Sequence, residues 1–297
     1  AARNGAYQEA LHVFATRLQI APPTNQPSLV EAHFAHPLYI QMAAFLALQG
    51  ERSISAEALP RALINHERRY WRKALAGQSD FNEHNESQAA LLMTLAVLTN
   101  GVTTDRSIES IWQRAGGEKT LLKPLFKLLT PLYPDRQGLQ GLRPDLLGEA
   151  LAAQTLLDDD GQTILSAVLA HGGERERRAA LTVLARLLRS RSDINVVIEK
   201  TLTANYGRCA EELVQTCIET PSPLSKLAAT AFERLARGEQ LQIAGVLKKH
   251  LRFDVVQLGE LDTVVQTTLL AKAVEKYRDK PQSTDRQVEY AEALVHM

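Results

Sequence analysis

The chain has 297 residues, 45% of them hydrophobic and 23% charged, and its 34 basic side chains are balanced by 34 acidic ones. This is the composition of an ordinary globular protein with room for about two domains. The charge balance removes the strongest sequence argument for sequence-independent binding to nucleic acid. Because no run of about 18 apolar residues and no signal-peptide pattern occurs, we expect a cytoplasmic protein with no membrane partner.

Apolar residues recur at three- and four-residue steps along almost the whole chain, which predicts a mainly α protein. The first helix covers residues 7–18 and ends at a proline-rich break over residues 21–27. Since this helical pattern is already present near Ala1, we expect the chain to be a piece, or the ordered part, of a longer protein. The apolar pattern resumes over residues 29–48, and Gly50 suits the left-handed position that ends a helix.

A third helix is predicted over residues 55–75, followed by a polar linker or long loop over residues 77–88. The apolar face of this helix is expected to contain Leu59, Leu63, His66, Tyr70 and Ala74. Three further helices are predicted at 89–98, 106–114 and 120–132. Residues 138–142 are expected to close as a hairpin, which completes the plan of a winged helix.

Beyond residue 158 the pattern is helix after helix, which is typical of an α-solenoid of the TPR or HEAT kind. Breaks between helices are expected at 172–173, 190–193, 206–207, 221–223, 238 and 280–283. The stacking faces are expected to contain Leu181, Leu184, Leu187 and Leu188 in one helix and Leu224, Leu227, Ala231 and Leu235 in another. Cys209 and Cys217 are spaced for neither a CxxC redox pair nor a zinc knuckle, so we expect buried, reduced thiols.

Three short motifs carry most of the remaining information: HPLYIQ at residues 36–41, HERRYW at 66–71 and LRPDLLGEAL at 142–151. Helix entry alone explains the prolines of the first and third motifs, because proline is tolerated at the first helical position. The second motif is close to the HExxH zinc motif, but Tyr70 stands where the second histidine would be needed. As a basic and aromatic cluster it could clamp nucleic acid, although helices commonly bury such aromatic rings and leave arginine in water.

In this order the motifs resemble the C-terminal part of bacterial STAND NTPases of the NACHT and NB-ARC type. The resemblance implies a helical lid domain at residues 1–80, a winged-helix domain at 81–157 and an α-helical repeat sensor, a TPR- or HEAT-like superhelix, at 158–297. The LRPDLLGEAL motif would close the winged helix and enter the sensor. The fold expected is therefore mainly α, with lid, winged helix and α-solenoid in chain order.

The resemblance also implies a nucleotide site, with His36, Pro37, Leu38 and Tyr39 facing the nucleotide and the proline packed on the adenine. His36 occupies a place that glycine often holds in the family. No P-loop motif is found in the sequence. ATP or ADP with Mg is therefore expected to bind mainly to an N-terminal core outside this sequence, and not to this chain alone.

The function implied is that of the regulatory and sensing half of an ATP-dependent signalling switch, such as those of bacterial antiviral defence. Its partners would be the P-loop core and effector domain of the same protein, a protein or peptide trigger at the helical repeats, and further copies in an active homo-oligomer. With no Walker A motif and no catalytic constellation, we assign no catalytic residue to this chain. The full-length protein would be the ATPase.

The alternative is a free-standing α-helical adaptor that binds a protein or peptide in its groove. An adaptor should bury Pro37 and Tyr39 in its own core, whereas a lid should leave them on a face that needs a partner. DNA binding by the winged helix is disfavoured, because the helix at 120–132 and its approach have basic residues only at Lys119, Lys123 and Lys127.

Metal sites are also disfavoured. His33 and His36 are three residues apart, but two ligands do not make a site. The acidic run at 158–160 is expected to be a solvated loop.

Overall fold

The computed structural model describes residues 2–24, 26–51, 55, 58–75, 83–103, 106–136, 138–158, 160–251 and 258–279. These residues contain thirteen α-helices and no β-strand, which confirms the mainly α class. The helices are α1 Ala2–Leu18, α2 Pro37–Leu48, α3 Leu59–Leu75, α4 Glu83–Leu98, α5 Arg106–Arg114, α6 Leu122–Leu129, α7 Asp145–Leu157, α8 Gly161–His171, α9 Glu174–Leu187, α10 Asn195–Glu219, α11 Leu224–Glu233, α12 Arg237–Leu247 and α13 Gly259–Asp279. None of these helices, within the described ranges, is both long and apolar enough to cross a membrane.

The chain divides into two compact units. Unit 1 comprises Ala1–Glu86 and Arg143–Leu151, and unit 2 comprises Ser87–Leu142 and Ala152–Met297. The sequence-based domain boundaries after residues 80 and 157 stay predictions.

The core of unit 1 lies where α1 packs on α2 and α2 packs on α3. Leu146 and Leu147, from the first turn of α7, also pack against this core. The segment between α1 and α2 is held by Arg3, whose Nη1 donates to the carbonyl oxygens of Leu29, Val30 and Glu31 at 2.9, 3.2 and 3.1 Å. A guanidinium thus replaces the regular backbone pairing that this irregular segment lacks.

The apolar pattern over residues 29–48 is not one helix. A short 3-10 helix at Ala32–Ala35 comes first, and His36 is extended with φ −90° and ψ 123°. The reason is steric, because proline disfavours helical geometry in the residue before it. The end of α2 is as predicted: Gly50 has a φ of +85°, and Glu51 donates its N–H to the carbonyl of Leu46 at 3.1 Å.

Three predictions about the third helix and its neighbour are wrong in whole or in part. The ring of Tyr70 is not on the buried face, since the residue is 46% exposed while the next residue, Trp71, is fully buried. Helix α3 also begins at Leu59 rather than at residue 55. The predicted linker at 77–88 falls partly outside the described residues, and from Glu83 onward it is already the first turns of α4.

Unit 2 continues with α4, α5 and α6 and a small hairpin. Val102 and Leu139 exchange both backbone hydrogen bonds, at 2.8 and 2.9 Å, and Pro134 is bridged to Leu139. The predicted helices at 106–114 and 120–132 correspond to α5 and α6, of which α6 is shorter. The hairpin lies at residues 133–140, slightly before the predicted stretch.

The helices after residue 160 pack on one another in sequence, with α10 in contact with α8, α9, α11 and α12. This arrangement is consistent with an α-solenoid. The break predicted at 206–207 is wrong, because α10 runs without interruption through it. Tyr206 is buried there against Phe232, with ring centroids 5.8 Å apart, and this packing offsets the cost of a glycine inside a helix. The predicted break at 280–283 lies outside the described residues.

The two predicted stacking faces of this region are confirmed, since all eight of their apolar residues are buried. Cys209 and Cys217 are free and buried, also as predicted. Burial raises the pKa of each thiol to about 12, because a thiolate would have to be formed away from water. Both cysteines therefore behave as small apolar side chains rather than as reactive groups.

Candidate functional site

The start of α2 places the first predicted motif. His36 is the N-cap residue, and its Nδ1 accepts a hydrogen bond from the backbone N–H of Leu38 at 3.2 Å. Pro37 follows at the first helical position, where its lack of an N–H costs nothing. Because Nδ1 is the acceptor, the hydrogen of a neutral imidazole lies on Nε2, on a side chain that is exposed.

Tyr39 lies between two imidazoles. Its ring centroid is 5.4 Å from that of His33 and 6.4 Å from that of His36. The tyrosine is half-buried and packs against the unit 1 core, and burial raises the pKa of its hydroxyl. The hydroxyl therefore stays a neutral donor and acceptor at physiological pH.

The third motif forms the start of α7. Arg143 forms an ion pair with Asp145, which is the first residue of the helix, and both side chains are about half exposed. The peptide bond between Arg143 and Pro144 is cis. The backbone N–H of Leu147 donates to the carbonyl of Pro144 at 2.8 Å, which closes the first turn. Asp145 lies at the positive end of the helix dipole, where a carboxylate is favoured.

These two motifs, a hundred residues apart in sequence, meet in unit 1. They line one open cavity of about 610 Å³. The residues lining it are His36, Leu38, Tyr39, Arg143, Pro144, Asp145 and Leu146. Three of the four predicted site residues are among them, whereas Pro37 is exposed beside the cavity without lining it.

The lining combines an apolar surface with polar groups that are still able to bind. Leu38, Pro144, Leu146 and the ring of Tyr39 supply the apolar part. The guanidinium of Arg143 adds a permanent positive charge. Such a cavity suits a flat apolar group that carries a negative charge, since ligand sites are mainly apolar with few orienting polar groups.

Sequence reasoning missed that Arg143, Asp145 and Leu146 belong to the same cavity as residues 36–39. The motif at 142–151 is predicted from the sequence as a helix entry that closes the winged helix and enters the sensor, and not as part of this site. The one signal available was that each segment has a proline at a predicted helix start, preceded by His36 in one case and by Arg143 in the other. That signal gives no information about distance in space.

The second motif is not at this site. On α3, His66 packs its ring against Phe45, with centroids 5.2 Å apart. Burial lowers the pKa of this histidine. The positive charges of Arg69 and Lys73 lower it further, whereas the negative charge of Glu67 partly raises it. Arg72 is paired with Glu86, with Nη2 and Oε2 2.6 Å apart.

For metals, no group of three or more His, Cys, Asp and Glu side chains able to hold an ion occurs within the described ranges. In the acidic run predicted as a solvated loop, residue 159 lies outside those ranges, and Asp158 and Asp160 are exposed.

No protein-family model matches the chain, and no curated protein or solved structure matches it either.

Proposed function

We propose that this chain is the regulatory and sensing part of a STAND-type, ATP-dependent switch. In this account, residues 36–39 of unit 1 close over a nucleotide that is held mainly by a P-loop core. Unit 2 contains the relay and the sensor for a protein or peptide trigger, and activation assembles further copies and an effector.

The observation that carries the proposal is the shared cavity in unit 1. Two motifs with the same family resemblance, at 36–39 and 143–146, line it together. Chance resemblances at two distant places in a sequence have no reason to fold into one cavity. The apolar surface beside the guanidinium of Arg143 also fits the base and an anionic end of a nucleotide, which would compete with Asp145 for that cation.

The lining of this cavity fits a nucleotide but does not fit a magnesium ion. Asp145 is the single carboxylate in the lining of this cavity, and it is already paired with Arg143. A magnesium ion prefers several oxygen ligands. The metal and the phosphates that it bridges are therefore assigned to the core.

The energies set how much this site contributes to switching. A hydrogen bond to a charged group is worth about 1.5–3 kcal/mol. Moving a switch from 1:99 to 99:1 needs about 5.5 kcal/mol of differential affinity. One bond from His36 is too little, so the remainder must come from contacts in the core and from the trigger.

Pro37 is exposed, which favours the lid over the adaptor, whereas Tyr39 is half-buried against the unit 1 core and does not separate the two. An adaptor would bury this proline in its own core. Further support comes from the order of α4, a bridge at Val102, α5, α6 and a hairpin, which is the element order of a winged helix. The packed helices after residue 160 fit a repeat sensor.

The denatured intact mass of the native gene product tests the proposal. A switch requires a P-loop core of about 200 residues in the same polypeptide, so we expect a mass well above 32.9 kDa. A native product near 32.9 kDa would overturn the proposal and leave the helical adaptor.

A further inference from the structure

The turn between α5 and α6, in unit 2, is held rigidly. The indole Nε1–H of Trp112 donates to the carbonyl of Glu118 at 2.9 Å. The side chain of Gln88 accepts from the backbone N–H of Glu118 at 2.7 Å and donates to the carbonyl of Gly116 at 3.3 Å. Two buried side chains therefore fix the angle at which the chain enters α6.

Helix α6 has two different faces. Its leucines Leu122, Leu125 and Leu129 are buried, so the apolar residues of this helix are used for packing. Lys123 and Lys127, one turn apart, are exposed on the other side. Lys119 is exposed in the turn that leads into the helix. We call these three residues the lysine face.

The lysine face is uncompensated within the described residues, because none of its lysines has an ion pair there. Many arginines of the same chain are paired, for example Arg177 with Glu212 and Arg191 with Asp193. Like charges one turn apart destabilise a helix. The chain gains nothing internally from this arrangement, which points to an external anion.

A hairpin adds a further positive charge beside α6. The N–H of Gln140 donates to the carbonyl of Tyr133 at 2.9 Å, and Arg136 is exposed in the turn. A Cβ added to Gly138 would lie 3.2 Å from Cζ of Phe126, so the hairpin rests directly on α6. The acidic residues on the turn before α6 and on the hairpin are Glu118, which accepts a hydrogen bond from the hydroxyl of Thr120, and Asp135.

We propose that the lysine face, together with Arg136, binds the phosphate backbone of duplex nucleic acid without reading its sequence. A duplex carries one negative charge per about 1.7 Å of its axis, so it presents a phosphate to each cation on the face that it covers. A helix also fits the width of the major groove. The lysine face has no Asn, Gln or bidentate arginine fork, and its three ammonium groups act as point charges that suit phosphate oxygens.

The sequence disfavours DNA binding by this module, because basic residues in the helix at 120–132 and its approach occur only at Lys119, Lys123 and Lys127. In the structure the buried leucines of α6 lie on one side of the helix, and Lys123 and Lys127 are exposed on the other. The inference lies wholly within unit 2 and requires no nucleotide, so it stands or falls separately from the switch.

The test is fluorescence anisotropy with labelled duplexes of two unrelated sequences, using the full chain between about 50 and 200 mM salt. The variant is the triple substitution Lys119→Gln, Lys123→Gln and Lys127→Gln. The matched control is Lys226→Gln, Lys248→Gln and Lys249→Gln, which removes the same charge from exposed lysines elsewhere in unit 2.

We expect equal binding of both sequences, a loss of about tenfold or more in the lysine-face variant, and near wild-type binding in the control. In the lysine-face variant, the slope of log affinity against log salt should become less negative by about 2.7, which is about 0.9 for each lost phosphate contact. No binding by the wild type at the lowest salt, or equal losses in the two variants, would overturn the proposal. Equal competition by polyglutamate would also overturn it, in favour of an acidic protein partner.

Discussion

Each unit contains an ion pair between an arginine and a carboxylate, and the two pairs differ in their exposure to water. In unit 1 the Arg143 and Asp145 side chains are 52% and 46% exposed. In unit 2 the Arg177 and Glu212 side chains are only 22% and 10% exposed, and Arg177 also donates to the carbonyl of Gly172 at 2.8 Å. Water screens the first pair and cannot replace the second. The Arg177 pair thus fixes helices of unit 2, whereas the Arg143 pair of unit 1 lies in water, where a ligand can compete for the guanidinium.

Gly117 of unit 2 and Gly5 of unit 1 differ in the space around them in the same way. A Cβ added to Gly117 of unit 2 would lie 2.2 Å from the ring of Trp112, which is fully buried and cannot yield. A Cβ added to Gly5, in α1 of unit 1, would meet nothing within 4 Å. The first glycine is required by packing and the second is not.

The largest expected effect is therefore from Gly117→Ala. Overpacking against an enclosed tryptophan should destabilise unit 2 by about 3 kcal/mol. Gly5→Ala should instead stabilise unit 1 by about 1 kcal/mol, because alanine is the better helix former. The chain has two tryptophans, so Trp71→Phe leaves fluorescence that reports unit 2 and Trp112→Phe leaves fluorescence that reports unit 1. Urea unfolding in these backgrounds gives both values, and similar effects at the two glycines would contradict the contrast between the units.

The next effect concerns the two ion pairs. Arg177→Met keeps the apolar stem but leaves the Glu212 carboxylate buried without its partner, which should cost about 2 kcal/mol after allowing for the remaining exposure. Arg143→Met removes an exposed pair and should cost less than about 0.5 kcal/mol. Urea unfolding in the two tryptophan backgrounds measures each. Equal costs would mean that the difference in burial has no energetic meaning.

A smaller effect depends on pH. The pKa of the Cys209 thiol is raised to about 12 in the fold, above its ordinary value, by burial. The contribution of the neutral thiol to the free energy of unfolding is complete below its pKa in the unfolded chain. That contribution is lost as pH rises towards its pKa in the folded chain. Between pH 9 and 10 the loss should be about 1 kcal/mol for this thiol.

Cys209→Ala should therefore make the unfolding free energy of unit 2 less sensitive to alkali. Unit 1 contains no cysteine, so its stability should stay level until the pH nears the ordinary pKa of tyrosine, about 10, where Tyr7 and Tyr39 ionise in the unfolded chain while burial raises their pKa in the fold. Denaturant unfolding at a series of alkaline pH values checks both statements. An unchanged slope in the variant would show that the thiol is already ionised in the folded chain.

Much of the helical layout could be predicted, because three- and four-residue spacing of apolar side chains is a local property. The stacking leucines of α9 and α11 and the glycine that ends α2 follow from it directly. The uninterrupted α10 could not be predicted, since only burial of Tyr206 against Phe232 outweighs the adjacent glycine. The prediction that Tyr70 is buried failed for a similar reason. Tyr70 and Trp71 are adjacent and point to different sides of α3, and spacing alone does not decide which of them is buried.

The candidate site was half predicted. Residues 36–39 were recognised by resemblance, but their meeting with Arg143 depends on the packing of Leu146 and Leu147 on the unit 1 core. That is a contact over a hundred residues, and no local pattern encodes it. The lysine face was visible as three lysines, yet its significance depends on which side of α6 is buried.

The central claim is tested most directly by the adenine nucleotide that co-purifies with the native gene product, released by denaturation and quantified by chromatography. Wild-type protein should contain stoichiometric nucleotide, and Tyr39→Ala should lower it about tenfold or more, because it removes an apolar ring and a hydroxyl from the cavity lining. Tyr70→Ala, which removes an exposed tyrosine from the same unit, should retain it. Wild-type protein without nucleotide, or the same loss in both variants, would contradict the account.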